Sequence, residues 1–328
     1  MKFRSFTQKS YYRFYKYFIA GKDSQCFYKG RSYNPKRVIF YLADKKVVHL
    51  GDTLWFEPIA RFLSGHFDVS IYPNPAMEFY FTKLGFSVYS NKFSDRLNVD
   101  EQSIVIAPIE LMFKLRHLEN VLFLSFDYRS VASGGKLINS MINAVARHFN
   151  LNADLVDGKY RAPEYTSTQI DENFKKFNLL QDEKYIIFNN YIDSWGKHTT
   201  LAMVNEYANR LINYAKNYKD KNKNVKFIHT GSSKDKENDD TVLEGLIDID
   251  LRGKTTAQDL FMLVGVPQVV EYIGFDTFLL HLFNMYDKPG HVLLRPGQPD
   301  EVNQKIKEAV LVPYFSNRYS ELMIISHD

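Results

Sequence analysis

The 328-residue chain is predicted to be an α/β protein built from two doubly wound parallel sheets that face a cleft. Three observations lead there. Apolar runs of strand length alternate with helical stretches, which is the pattern of βαβ units. The alternation occurs twice, with a polar interruption over roughly 152–184. The chain also exceeds the length that one core usually serves, so two domains of about 150 residues each are expected.

The first series opens with a buried strand over 38–48 and a helix over 53–65, followed by the strand in "FDVSIYPNPA" and the short apolar runs "SIVIAPI" and "NVLFLSFD". The second runs through "KYIIFNNY", the helix "TLAMVNEYANRLINYAKNY", "VKFIHTG", "IDIDLRG", the helix "TTAQDLFMLVG", "QVVEYIG", the helix "TFLLHLFNMY" and "GHVLLR". The expected organisation is an arm over 1–37, a first Rossmann-like domain over 38–165, a linker over 166–184 and a second Rossmann-like domain over 185–328. The last helix is a candidate to pack back on the first domain.

Composition, 45% hydrophobic and 24% charged, is that of an ordinary globular protein. The sequence has no apolar run of about 18 residues and no apolar signal at its amino terminus, so a cytoplasmic location is expected. The single Cys26 forms no internal disulfide, and no Cys/His cluster has zinc spacing, so no metal is expected. Twenty-two Tyr and 26 Phe suit ring stacking, though nucleotide bias in the gene explains them more simply.

Charge is uneven. Residues 1–37 carry ten basic residues against Asp23 alone, +9, which leaves −5 for the rest of a +4 chain. Within the arm Lys9, Arg13 and Lys16 recur at helical spacing, while Tyr11, Phe14, Tyr15 and Phe18 share another face. That pattern suits a helix lying on an anionic membrane surface. A terminal helix packed on its own domain is the nearly equal alternative, and a nucleic-acid partner is not expected.

Four strand ends could carry chemistry. In "HLGDTLWFEP", Gly51 permits a tight turn and Asp52 is expected at the helix N-cap, where it either caps or serves as a general base. Amide hydrogen bonds there would depress its pKa, and Pro58 requires the helix to kink or restart. In "NNYIDSWGKHTT", Lys197 precedes a helix start, a setting that suits a phosphate. Thr230 and Gly231 in "HTGSSKDKE" form a turn or receive a ribose or phosphate. In "EYIGFDTFLLHLFNMYDKP", Asp276 and Thr277 can cap a helix whose free amides face an anion, with His281 one turn along. The metal-like spacing of Asp248 and Asp250 is read as structural.

Taken in chain order, "GDTLWFEP", Lys197, "RGKTTAQDL" and "DTFLLHLFNMYDKP" resemble the heptosyltransferase-type glycosyltransferases, glycosyltransferase family 9, over roughly 38–295. The resemblance implies a GT-B architecture and sugar transfer with inversion and without a metal. It also implies a nucleotide-sugar such as ADP-heptose in the second domain and a lipopolysaccharide, lipooligosaccharide or other envelope glycan acceptor at the first. Asp52 matches the catalytic base. Lys197, the Asp276–Thr277 helix start and His281 would face the diphosphate, with Thr230 and Gly231 on the nucleoside side. The protein would then work at the inner face of the cytoplasmic membrane. Phe278 stands where the family usually has glycine, and Leu280 where a small residue is common. Phe278 keeps open a non-catalytic relative that binds glycan or nucleotide, and the same architecture also admits a nucleotide-sugar epimerase or hydrolase.

Overall fold

The computed structural model describes residues 26–30, 35–44, 48–89, 99–126, 137–153, 158–191, 201–237 and 240–293. The chain divides into two compact units that meet between Arg161 and Ala162.

The first unit is built on β1 (Cys26–Lys29), β2 (Arg37–Tyr41), β3 (Asp68–Tyr72), β4 (Ser87–Val88), β5 (Ser103–Pro108) and β6 (Val121–Leu124), in the sheet order β1-β6-β5-β2-β3-β4. Strands β5 and β6 are buried along their whole length, as is β2 after Arg37. Such unbroken apolar runs belong to strands covered on both faces. Helix α1 (Leu50–Leu54) and helix α2 (Phe56–Ser64) follow β2, α3 (Glu78–Lys83) follows β3, and α4 (Leu137–His148) packs against α2.

The second unit carries α5 (Ser167–Lys176), β7 (Lys184–Asn189), α6 (Leu201–Lys221), β8 (Val225–His229), β9 (Ile249–Asp250), α7 (Ala257–Gly265), β10 (Val269–Phe275), α8 (Phe278–Met285) and β11 (Gly290–Leu293). Its sheet, in the order β11-β10-β7-β8-β9, is parallel throughout. Ile186, Phe188, Leu211, Phe227, Ile273 and Leu293 meet in its core.

In each sheet the chain works outward on one side of its first parallel strand and then returns to the other side. The reversal falls between β2 and β5 in the first unit, and between β7 and β10 in the second. Ligands of open α/β sheets bind outside the carboxyl ends of the strands at such reversals. The loop after β2 leads to Asp52; the loops after β7 and β10 lead toward Lys197 and to Asp276.

The structure departs from the sequence expectations in several places. The strand expected over 38–48 ends at Tyr41. Beyond it Asp44 leaves the sheet to pair with Lys114, whose Nζ lies 3.1 Å from Asp44 Oδ2 and 3.3 Å from the Tyr41 hydroxyl. The first sheet is not wholly parallel, because β1 runs antiparallel to β6 at its edge. The arm placed at 1–37 therefore includes a strand of the first unit at 26–29, while residues 1–25 lie outside the described residues.

The stretch expected as a linker, 166–184, contains α5. Thr166 caps it by accepting from Gln169 N–H at 3.3 Å, and Lys176 Nζ holds Asp259 of α7 at 2.7 Å. The helix expected over 53–65 is two helices broken at Trp55, and Pro58 falls in the first turn of α2, where a missing N–H costs no intrahelical bond. Among the described residues no helix is long and apolar enough to cross a membrane.

Candidate active site

Two sets of groups stand at the reversals, one in each unit. In the first unit Val48 is steadied by Asn74, whose Nδ2 donates to the Val48 carbonyl at 3.3 Å. Helix α1 starts immediately afterwards. His49, not Asp52, is its N-cap; Asp52 is the third helical residue, and its Oδ2 accepts the His49 N–H at 3.2 Å.

This corrects both the expected position of Asp52 and its expected pKa. Burial raises the Asp52 carboxyl above the ordinary carboxylate range, and the His49 charge and amide only partly offset that. One amide bond does not replace the water removed from a carboxylate. The group nonetheless keeps partial exposure. A partly accessible carboxylate with a raised pKa is better suited to accept a proton near neutral pH than an ordinary capping aspartate.

Five residues on, Glu57 is fully buried. Its Oε1 accepts from Arg61 Nε at 2.9 Å, and its Oε2 accepts the Arg161 N–H at 3.2 Å. Arg61 also donates to the Lys159 carbonyl at 2.7 Å, and Tyr80 donates to the Arg161 carbonyl at 3.0 Å. Glu57 thus moors the end of the first unit to α2.

In the second unit the ends of β7, β8 and β10 are interlocked around Asn189. Its Nδ2 donates to the Thr230 carbonyl at 2.9 Å. Both residues are buried, Thr230 completely, and both Asn189 Oδ1 and Thr230 Oγ1 lack a hydrogen-bond partner among the described residues. A buried polar atom left unsatisfied costs free energy that a ligand's complementary group can recover.

Gly231 is glycine because the Asp235 carboxylate occupies the space of a β-carbon there. That carboxylate accepts from Ser232 N–H and Ser232 Oγ, each at 2.7 Å, so "TGSS" is a closed turn. Arg252, itself buried, donates to the Asp235 carbonyl at 3.1 Å and grips Asp250 with Nε and Nη2, each at 3.0 Å. Burial alone would raise the Asp250 carboxyl; Arg252 instead holds it at about 2. Asp248 pairs with Lys219 at 2.8 Å. Both aspartates of the metal-like "DID" are therefore engaged by the chain's own cations.

Near the end of β10, Gly274 leaves room for the Tyr272 hydroxyl, which donates to the Phe275 carbonyl at 2.7 Å and lies 3.2 Å from Thr277 Oγ1. Thr277 caps α8 by accepting from Leu279 N–H at 3.3 Å, while Asp276 is exposed just before it. Phe278 rests on Phe261 of α7, with ring centroids 5.9 Å apart. His281 lies on the first turn of α8, and burial pushes its pKa down to about 4. At neutral pH it is a neutral imidazole, which offers one N–H and no charge.

The structure thus brings Thr230, Gly231, Asp276, Thr277 and His281 to the carboxyl end of one sheet. Asp52 occupies the corresponding end of the other, and Lys197 lies outside the described residues. Sequence reasoning missed Asn189, Tyr272 and Arg252. The signal for Asn189 was present in "IIFNN", a polar residue ending a fully apolar run.

No family model and no curated protein matches the chain. Solved structures do. E. coli ADP-heptose lps heptosyltransferase II superposes with a TM-score of 0.56 at 11% identity, over 86% of this chain and 89% of that one. The glycosyl transferase family 9 protein from Veillonella parvula gives 0.54 at 15%, over 86% and 92%. The fold is GT-B. E. coli heptosyltransferase WaaC with ADP-2-deoxy-2-fluoro heptose adds a third GT-B likeness, 0.51 at 14%, over 80% and 90%. At these identities the likeness concerns the fold and leaves the chemistry to the residues.

Proposed function

We propose that this GT-B protein is a glycosyltransferase that moves a sugar from a nucleotide-sugar, ADP-heptose-like, to a lipopolysaccharide, lipooligosaccharide or other envelope glycan, with inversion and without a metal. The observation that carries the proposal is the pair of buried atoms Asn189 Oδ1 and Thr230 Oγ1, without a hydrogen-bond partner among the described residues, at the carboxyl ends of the adjacent strands β7 and β8. They suit the donor and acceptor groups of a nucleoside. The heptosyltransferase structures of the same fold were solved with ADP and an ADP-sugar, which supports the same assignment.

In the reaction Asp52 takes the proton of the acceptor hydroxyl as its oxygen bonds to the anomeric carbon and the bond to the diphosphate breaks. General-base help of this kind contributes roughly 10²–10⁴-fold. Lys197 and the amides opening α8 stabilise the departing diphosphate, and neutral His281 donates a hydrogen bond to it. Residues 1–25, with six basic residues, hold the enzyme on the inner face of the cytoplasmic membrane.

A panel of nucleoside diphosphates and nucleotide-sugars, scored by thermal stabilisation, tests donor binding. Transfer from the best ligand to de-O-acylated lipopolysaccharide, with and without chelator, then tests the reaction. Absence of any stabilising nucleotide would refute the proposal; sugar release to water with no glycan product would favour a hydrolase. Deleting residues 1–25 should abolish binding to anionic vesicles.

A further inference from the structure

We infer that Trp55 is the residue that positions the acceptor, presenting its indole face to an acceptor sugar ring whose hydroxyl meets Asp52. The inference rests on the glycosyltransferase proposal but concerns a residue that the proposal does not use. Trp55 is the C-cap of α1 in helical conformation, and its N–H donates to the Asp52 carbonyl at 3.2 Å. Residues three apart in a helix are neighbours, with about 5–6 Å between β-carbons, so the indole and the carboxylate share one face of α1.

Both residues keep partial exposure, whereas the residues around them, Gly51, Thr53, Leu54 and Phe56, are buried. The indole is also held in place. Its ring lies 4.7 Å from Phe126, two residues beyond β6, and Phe126 in turn packs edge-on against Phe56 at 4.9 Å. Phe56 rests on Phe40 of β2 at 6.1 Å. A chain of rings thus runs from the strand next to the reversal out to the partly exposed residue Trp55 beside the proposed base.

The chemistry of that pairing fits a sugar. A pyranose has an apolar face of C–H bonds that carry slight positive charge, and an aromatic face is negative. Its rim of hydroxyls needs an acceptor such as Asp52. An indole fixed by Phe126 loses little freedom when a sugar settles on it, so the contact orients the reacting hydroxyl at small entropic cost.

The chain has only two tryptophans, Trp55 and Trp195; the second lies outside the described residues, two positions before Lys197. This allows a clean optical test. In the full-length Trp195→Phe protein, titration with de-O-acylated lipopolysaccharide core oligosaccharide should shift or quench the Trp55 emission, whereas ADP alone should not.

Kinetics supply the second measurement. Trp55→Ala should raise the acceptor KM roughly fivefold to tenfold, the size of one aromatic contact, and lower kcat as the reacting hydroxyl loses its orientation, with donor KM within about twofold of wild type. Trp55→Phe should recover most of the loss. An unchanged acceptor KM in Trp55→Ala would overturn the inference. So would donor and acceptor KM rising together with a lowered Tm and no rescue by phenylalanine, which would make Trp55 a packing residue. A wild-type protein that neither glycosylates the oligosaccharide nor responds to it optically also overturns the inference, while nucleotide-sugar stabilisation judges the glycosyltransferase proposal separately.

Discussion

Asn189 and Gly274 are register partners on adjacent strands, and the Asn189 carbonyl lies 2.7 Å from the place a β-carbon on residue 274 would occupy. The Tyr272 hydroxyl crowds the same point. Gly274→Ala should therefore push β10 from β7 or expel the Tyr272 hydroxyl from its bond to Phe275. Overpacking of this kind costs about 1–3 kcal/mol. Chemical denaturation would measure it, and nucleotide affinity should fall in the same variant, since the displaced residues frame the proposed donor site.

Thr230→Val separates binding from folding. The hydroxyl has no partner among the described residues, so its loss should leave stability unchanged or slightly raised, while nucleotide affinity drops by about tenfold, the worth of one hydrogen bond. Titration calorimetry and thermal melts on the same samples give both quantities. Equal affinity in the variant would remove Thr230 from the nucleotide site.

Asp52→Asn should cost roughly 10²–10⁴-fold in transfer rate with donor binding kept. The sign of its effect on stability follows from the raised pKa. The folded state holds the proton more tightly than the unfolded chain, so ionisation of Asp52 removes stability as pH rises from the unfolded value of about 3.9 through the folded value. At neutral pH the neutral amide should then raise Tm. For the wild type, the acid limb of the transfer rate should lie above the ordinary aspartate range. A limb near 3.9, or a lowered Tm in the variant, would contradict the desolvated-base assignment.

His281 gives the opposite pH dependence. Its folded pKa of about 4 lies below the ordinary value of 6.5, so the unfolded chain binds the proton first. The stability linked to this ring is present above about 6.5 and is lost as pH falls toward 4. His281→Leu should flatten that part of the stability curve, as urea midpoints at several pH values would record.

The alternation of apolar and polar segments made the two parallel sheets legible, because strands covered on both faces need long apolar runs such as "SIVIAPI". The antiparallel β1 was not legible: "CFYK" is four residues inside a basic, aromatic segment, and only its pairing with β6 makes it a strand. Helix α5 was hidden for a different reason. It is mostly polar, and it is held by the Thr166 cap at one end and by the buried Phe174 and the Lys176–Asp259 pair toward the other.

At the site, glycines and capping residues were readable from local chemistry, as with Thr277. The pKa of Asp52 was not, because burial is a property of the assembled unit. The space constraints on Gly231 and Gly274 come from Asp235, Tyr272 and Asn189, whose roles appear only once the strand ends are assembled.

The mooring of Arg161 by Glu57 bears on how the protein can be divided. A fragment that stops before Arg161 would leave Glu57 without one of its donors in a dry interior. A cut inside 166–184 would strip Asp259 of Lys176 or detach α5 from its cap. Limited proteolysis that yields two separately stable pieces should therefore nick the chain just beyond Arg161, ahead of Thr166, so that each piece retains its own ionic anchors.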